Sequence, residues 1–335
     1  MTPEELHADA VVIDGLIISK WSRDVFEAMH RGGLTAANCT CAVWEGTNET
    51  LANIAQWKRW FAEHADLITQ VHSVADIRRA KAEGRVGIVL GWQNTYAIET
   101  DLDLLRVFRD LGVRVMQLTY NTQNLVGSGC WETEDRGLSD YGRDVVDLMG
   151  ELGIVVDLSH VGERTAADAI AHSEVPVCFT HAVPKGLKET PRNKSDDLIK
   201  ACVDRGGFLG FATYGPFLPW GDDSTVENYV EALEYGLELV GEDALGLGTD
   251  FTEGYGPEFF SWLRRDKGTG RQLSTGFPGR PRNPKGFDGM ADYPNLTAAM
   301  LARGWPEDRV RKVMGGNWLN CLSRVWGDAG AGAPT

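Results

Sequence analysis

Two histidines and an aspartate each stand at the end of a short apolar run: His160 closes GIVVDLSH, His181 closes VPVCFTH, and Asp250 comes next to last in ALGLGTDF. Neutral imidazoles bind Zn²⁺ at about 2.1 Å each, and a carboxylate facing the ion can take a proton from the water it holds. A lone histidine at such a place is usually a hydrogen-bonded structural residue. Two on successive runs, with an aspartate on a third, form the donor set of a metal-assisted hydrolase. Further runs end in Gln93 and Asn94, in Tyr120 and Asn121, and in Tyr214. Asp157 shares a run with His160 but lies three residues before it, so it is expected to point elsewhere. His7, His30, His64, His72 and His172 fall in segments that read as helix or connection and are not ligand candidates.

The elements that must position these groups show in the hydrophobic pattern. Eight β-branched or apolar runs, at 10–17, 35–43, 87–94, 113–120, 153–160, 175–181, 207–214 and 244–251, are each followed by apolar residues at helical spacing. Repeated strand–helix units of this number predict an α/β fold, a (β/α)₈ TIM barrel, whose active site lies at the C-terminal ends of the strands. A doubly wound sheet is the alternative, disfavoured because no Gly-x-Gly-x-x-Gly turn follows the first strand. No boundary interrupts the pattern, so one barrel domain is expected over 1–327. It would carry a Gly- and Pro-rich excursion at 252–295 and a flexible tail at 328–335. Two last helices, 296–305 and 306–326, would close the fold, the second burying Trp318, Leu322 and Trp326 along one stripe.

Composition limits the partners. The 335-residue chain is 43% hydrophobic, enough for a large core, and its 33 basic against 48 acidic residues give a net charge of −15 that repels phosphate backbones. Nucleic acid is therefore excluded and a small-molecule substrate expected. No run reaches the roughly 18 apolar residues of a membrane span and the start lacks a signal-peptide pattern, which places the protein in the cytoplasm without a membrane partner. The six cysteines read as reduced thiols. Cys39 and Cys41 alternate on the second strand, where small buried residues are a better reading than thiolate ligands. The stretch 263–285 holds seven basic residues and one acidic, and is expected to form a lid or an anion-steering rim. Trp44, Trp92, Tyr96, Tyr120, Tyr214 and Trp220 would pack around the barrel mouth or, less simply, form a pocket for an alkylated or cationic ligand.

The segments LTYNTQNLVGSGC, GLSDYGRDVVDLMGELGIVVDLSHVGERT, PVCFTHAVPKGLKETPRNKSDD and GLGTDF resemble the renal or membrane dipeptidases, peptidase family M19, metal-dependent barrels related to the amidohydrolases. The resemblance runs from about residue 10 to 325. It implies His160 and His181 as metal ligands, Arg192 as the partner of a substrate carboxylate, Asp250 as the acid/base residue, and a homodimer. Asn193, Tyr120 and Tyr214 complete the expected substrate-binding set. Where family members carry a His-x-Asp pair and a bridging Glu, this chain has Leu16, Ile18 and Gln93. Two divalent ions about 3.5 Å apart repel by roughly 19 kcal/mol at an effective dielectric of 20, so losing these ligands argues against a binuclear centre. The expectation is a hydrolase of a small dipeptide or amide with a free carboxylate, using one Zn²⁺ held by His160, His181 and the neutral oxygen of Gln93. The alternatives are a single-metal or metal-free acid/base enzyme on another small carboxylate or amine, and a non-catalytic binding protein.

Overall fold

The computed structural model describes residues 1–273 and 280–327. The expected tail at 328–335 and the centre of the basic stretch, 274–279, lie outside the described residues. Nine strands run in the order β1 (Ile13–Ile17), β2 (Ala36–Ala42), β3 (Ile68–Gln70), β4 (Val86–Trp92), β5 (Val113–Gln117), β6 (Val155–Asp157), β7 (Cys178–Ala182), β8 (Phe208–Phe211) and β9 (Leu245–Leu247). All pairings between them are parallel, and β1, β2, β4, β5, β6, β7, β8 and β9 close into a ring. The eight expected strands are the barrel. The additional β3 pairs with the first half of β4, up to Gln70 opposite Ile88, before β5 takes over at Leu90 opposite Val113. Three residues are too few to show a period of two, which is why the pattern gives no sign of it.

Residues on both faces of β1, β2, β4 and β5 are buried, as expected of parallel strands enclosed by helices. The barrel axis is tightly filled: a Cβ on Gly248 would lie 1.8 Å from the Thr180 carbonyl oxygen, and one on Gly15 2.4 Å from the same atom. No larger residue fits where opposing strands approach this closely.

The helix Asn317–Trp326 seals the N-terminal end of the barrel. Its Trp318 indole donates to the Leu247 carbonyl at 2.7 Å and packs 4.2 Å from the Phe208 ring. Trp318, Leu322 and Trp326 are buried, as the stripe predicts. The expected continuous helix 306–326 is broken, however, into Glu307–Arg311, a π-type turn at 312–316 and Asn317–Trp326. The reason is close packing: Gly315 presses its backbone against the strand-leading segment, where a Cβ would meet the Val11 carbonyl at 2.5 Å. Of the excursion 252–295, the described parts contain the helix Pro257–Leu263 and the start of the helix Tyr293–Ala302. Among the described residues no helix is long and apolar enough to cross a membrane.

Candidate active site

Two buried aspartates set the shape of the strand ends. At the end of β6, Asp157 accepts hydrogen bonds from the backbone N–H groups of Ser159 (2.9 Å) and Thr180 (3.0 Å) and from the hydroxyls of both residues. Asp157 thus bridges β6 and β7. Its bond to the N–H two residues on is an Asx turn, which ends the strand and re-aims the chain before His160. Asp14 on β1 repeats the arrangement, accepting from the N–H groups of Leu16 (2.9 Å) and Thr249 (3.0 Å), the Thr249 hydroxyl (2.7 Å) and the Tyr293 hydroxyl. Burial pushes both carboxyls up from the usual range, and these hydrogen bonds oppose the shift. The two clasps tie β6 to β7 and β1 to β9, fixing the residues just above them.

Those residues include the histidine pair. His160 Nδ1 lies 2.7 Å from Asn121 Oδ1, an acceptor, so this nitrogen carries the proton. His181 Nδ1 lies 2.8 Å from Thr180 Oγ1, whose single hydrogen is given to Asp157 at 2.7 Å, so this imidazole must also donate through Nδ1. Both Nε2 atoms are thereby left as acceptors, and they face each other at 3.1 Å. Protonation does not relieve the clash of lone pairs readily. Burial first, and then the Arg192 charge, hold both imidazoles well below the ordinary histidine range.

His160 also lines a cavity of about 60 Å³ at the barrel mouth, together with Ile18, Gln93, Tyr120, Asn121, Arg192, Tyr214 and Asp250. Asp250 has a left-handed backbone (φ 62°), and its N–H is held by the Leu16 carbonyl at 3.0 Å. Burial pushes its carboxyl up to about 7, with Arg192 opposing. Arg192 is buried and bonded through Nη2 to the His181 carbonyl at 2.7 Å, while Nε and Nη1 have no hydrogen-bond partner among the described residues. Nε–H and Nη1–H leave different edges of the guanidinium, so they are two separate unsatisfied donors at a cavity wall, either of which can bond a carboxylate oxygen. Tyr120 stacks on His160 with centroids 4.2 Å apart, and Tyr214 is hydrogen-bonded to Arg264. Gln93 turns its amide nitrogen to Thr40 Oγ1 at 3.1 Å.

Two expected site residues do not line the cavity: His181, which is fully buried against His160, and Asn193. The Asn193 amide donates to the carbonyls of Lys188 (2.8 Å) and Phe217 (3.0 Å), bracing the loop that carries Arg192 rather than lining the cavity. Cys39 and Cys41 are buried, and burial holds both thiols up, which suits packing rather than metal binding. Trp131, Phe217, Thr252, Phe260, Leu263 and Arg264 also line the cavity. Sequence reasoning passed over their individual roles because none ends a barrel strand. Part of the basic stretch does reach the site through Leu263 and Arg264, and Lys267 lies over the Tyr96 ring at a second, larger pocket.

Leu16 and Ile18 join Val43, Trp44 and Tyr120 in an apolar cluster, against which Phe259, Trp262 and Leu263 of the Pro257–Leu263 helix pack. One flank of the mouth is thus a dry surface on which a covering helix rests. It offers no donor to a metal. Among the described residues, no group of three or more His, Cys, Asp or Glu is placed to hold an ion.

The profile of the membrane dipeptidase family (peptidase family M19) matches residues 23–261 and 272–331. A crystal structure of an amidohydrolase from Pseudomonas aeruginosa is 52% identical, with a TM-score of 0.95 over 98% of this chain and 100% of that one. A metallopeptidase from Rhodobacter sphaeroides, solved with a phosphinate mimic of the dipeptide L-Ala-D-Ala, shares the fold at 21% identity and a TM-score of 0.77, covering 95% of this chain and 100% of that one. Dipeptidase tcpJ of Claviceps purpurea (strain 20.1) is 30% identical over 284 residues, 83% of this chain and 60% of that protein. The chain spans about 60% of the length of the curated relatives it matches. A closed parallel barrel with His181 in β7 and His160 three residues past the end of β6, matched by the family profile over most of its length, belongs to the membrane dipeptidase family, peptidase family M19.

Proposed function

We propose that the protein hydrolyses a small amide that carries a free carboxylate, using one divalent metal ion, with zinc the natural choice for imidazole donors. The observation that carries this reading is the pair of Nε2 lone pairs facing each other at 3.1 Å. A separation of that size lets both nitrogens reach one ion at about 2.1 Å, and the imidazoles are in the neutral form that a metal requires. The donor set therefore fits a single ion held by His160 and His181, with the Gln93 side-chain oxygen as a weak third ligand. It does not fit two, because Leu16 and Ile18 are committed to the apolar cluster.

A bound ion would polarise the scissile carbonyl and acidify the attacking water. The chain's own groups do the rest. Asp250, with its carboxyl poised at about 7, accepts the water proton and passes it to the leaving nitrogen. Arg192 binds the substrate carboxylate through one of its unsatisfied donors. Asn121 and Thr180 hold the imidazole protons on Nδ1 and so keep Nε2 aimed at the ion. Tyr120 and Tyr214 wall the cavity on either side.

Turnover of small carboxylate-bearing amides by the zinc-loaded protein, lost on chelation and in both His160→Ala and Asp250→Asn, is the expected result. Absence of turnover across dipeptides and acyl amino acids contradicts it. A metal-free acid/base reading is favoured by one observation: Arg192 and Lys194 place positive charge near both imidazoles, which opposes a cation. It predicts activity that survives chelation.

A further inference from the structure

We infer that the group on the acyl side of the scissile amide is uncharged, so that the substrates are N-acyl amino acids rather than dipeptides with a free α-ammonium. The inference rests on the amide-hydrolase reading and names the substrate class of that site.

A dipeptide brings two charges into the cavity, a carboxylate and an ammonium, and each must exchange its water for protein groups. The carboxylate has the unsatisfied Arg192 donors. The ammonium has nothing comparable. Among the described residues lining the cavity only Asp250 is acidic, against Arg192 and Arg264, and Asp250 is engaged in proton transfer. No other described carboxylate lines the cavity. Asp14 and Asp157 each accept four hydrogen bonds from the barrel. Glu45 accepts from the N–H groups of Val43 (2.7 Å) and Trp44 (3.0 Å), and Glu253 from that of Met290 (2.7 Å).

The carboxylate end is fixed by Arg192, on the segment after β7, and β1 lies three positions farther round the barrel, past β8 and β9. The wall on that side begins at Ile18, and Phe260 and Leu263 extend it. This surface stabilises a methyl or short alkyl group and penalises an unpaired ammonium. At about 60 Å³ the closed cavity has room for only a few waters. The Pro257–Leu263 helix must therefore shift for a whole substrate to enter. Hydrolysis then adds water across the C–N bond, releasing a small carboxylic acid and a free amino acid.

The test is a matched pair that differs only in the ammonium: alanyl-alanine against N-propionyl-alanine, in both configurations of the C-terminal residue. With wild-type, zinc-loaded protein, kcat/KM for the propionyl compound is expected to exceed that for the dipeptide by at least about tenfold, the least expected from burying an unpaired charge. Leu263→Asp is expected to narrow the ratio by giving the ammonium a partner. Equal turnover, or a preference for the dipeptide, overturns the inference and leaves the hydrolase reading intact. If neither compound turns over, the hydrolase reading fails. Calorimetric affinities of the wild-type protein for the same pair then decide the inference: a preference of about tenfold for the propionyl compound upholds it, and equal or reversed affinities overturn it.

Discussion

Each imidazole of the histidine pair gives its one proton to a neighbour behind it, so the two bare nitrogens face an occupant rather than each other. That occupant's affinity depends on charge nearby, which here is net positive because Gln93 is neutral and Arg192 is close. Gln93→Glu is expected to tighten zinc retention by about tenfold or more, measured by competition with a chromogenic chelator. Asp250→Asn should lower kcat/KM by about 10²–10⁴-fold, the range for loss of a general base. It should also change stability. The folded carboxyl titrates at about 7 and the unfolded one near 3.8. Between those values the folded, metal-free chain holds a proton that the unfolded chain has released, so stability falls as pH rises through that window. Denaturant titrations of metal-free protein should show that slope in the wild type and not in Asp250→Asn. Of these residues, His160, His181 and Asp250 were legible because each stands at or next to the end of a short apolar run. The roles of Asp14 and Asp157 were not, because their partners Thr249 and Thr180 belong to neighbouring strands and nothing local announces the pairing.

At the scale of elements, the helix Pro257–Leu263 is the part that sequence periodicity described least well. Seven residues with Gly256 as an uncapped N-terminus show too few turns for a helical period, and its aromatic residues serve two surfaces. Phe260 faces the cavity, while Phe259 and Trp262 rest on the Leu16–Ile18 cluster. Trp262 is half-buried, so Trp262→Ala should cost less than a core tryptophan, about 1–2 kcal/mol. Its clearer effect should be local: hydrogen exchange over 257–263 speeds up and KM rises, with kcat changed less. Exchange that is unaltered there would show that the apolar cluster does not hold the helix down. Leu16 and Ile18 thus have a role that the missing metal ligands alone do not suggest. They replace charge with a dry seat for the cover of the site.

For the molecule as a whole, the barrel was readable because parallel strands enclosed by helices are continuous apolar runs, and all eight were apparent. Their ends were less so: the strand expected at 244–251 is ordered as strand only over Leu245–Leu247, because Gly248 and the left-handed Asp250 leave the ladder to enter the site. The closure at the opposite end depends on Trp318, whose ring reaches between the strands to the Leu247 carbonyl. Trp318→Ala should lower global stability by about 3–5 kcal/mol in denaturant titrations while leaving kcat/KM near wild type at low temperature, since the floor and the site lie at opposite ends of the barrel. Site and scaffold meet in the metal stoichiometry, which the apolar cluster restricts and the histidine pair permits. The decisive measurement is metal content per chain by elemental mass spectrometry after zinc loading and desalting, on wild type and His160→Ala. One ion per chain in the wild type and none in the variant is the predicted result; two ions per chain, or none retained by the wild type, would contradict a single-metal site built on His160 and His181.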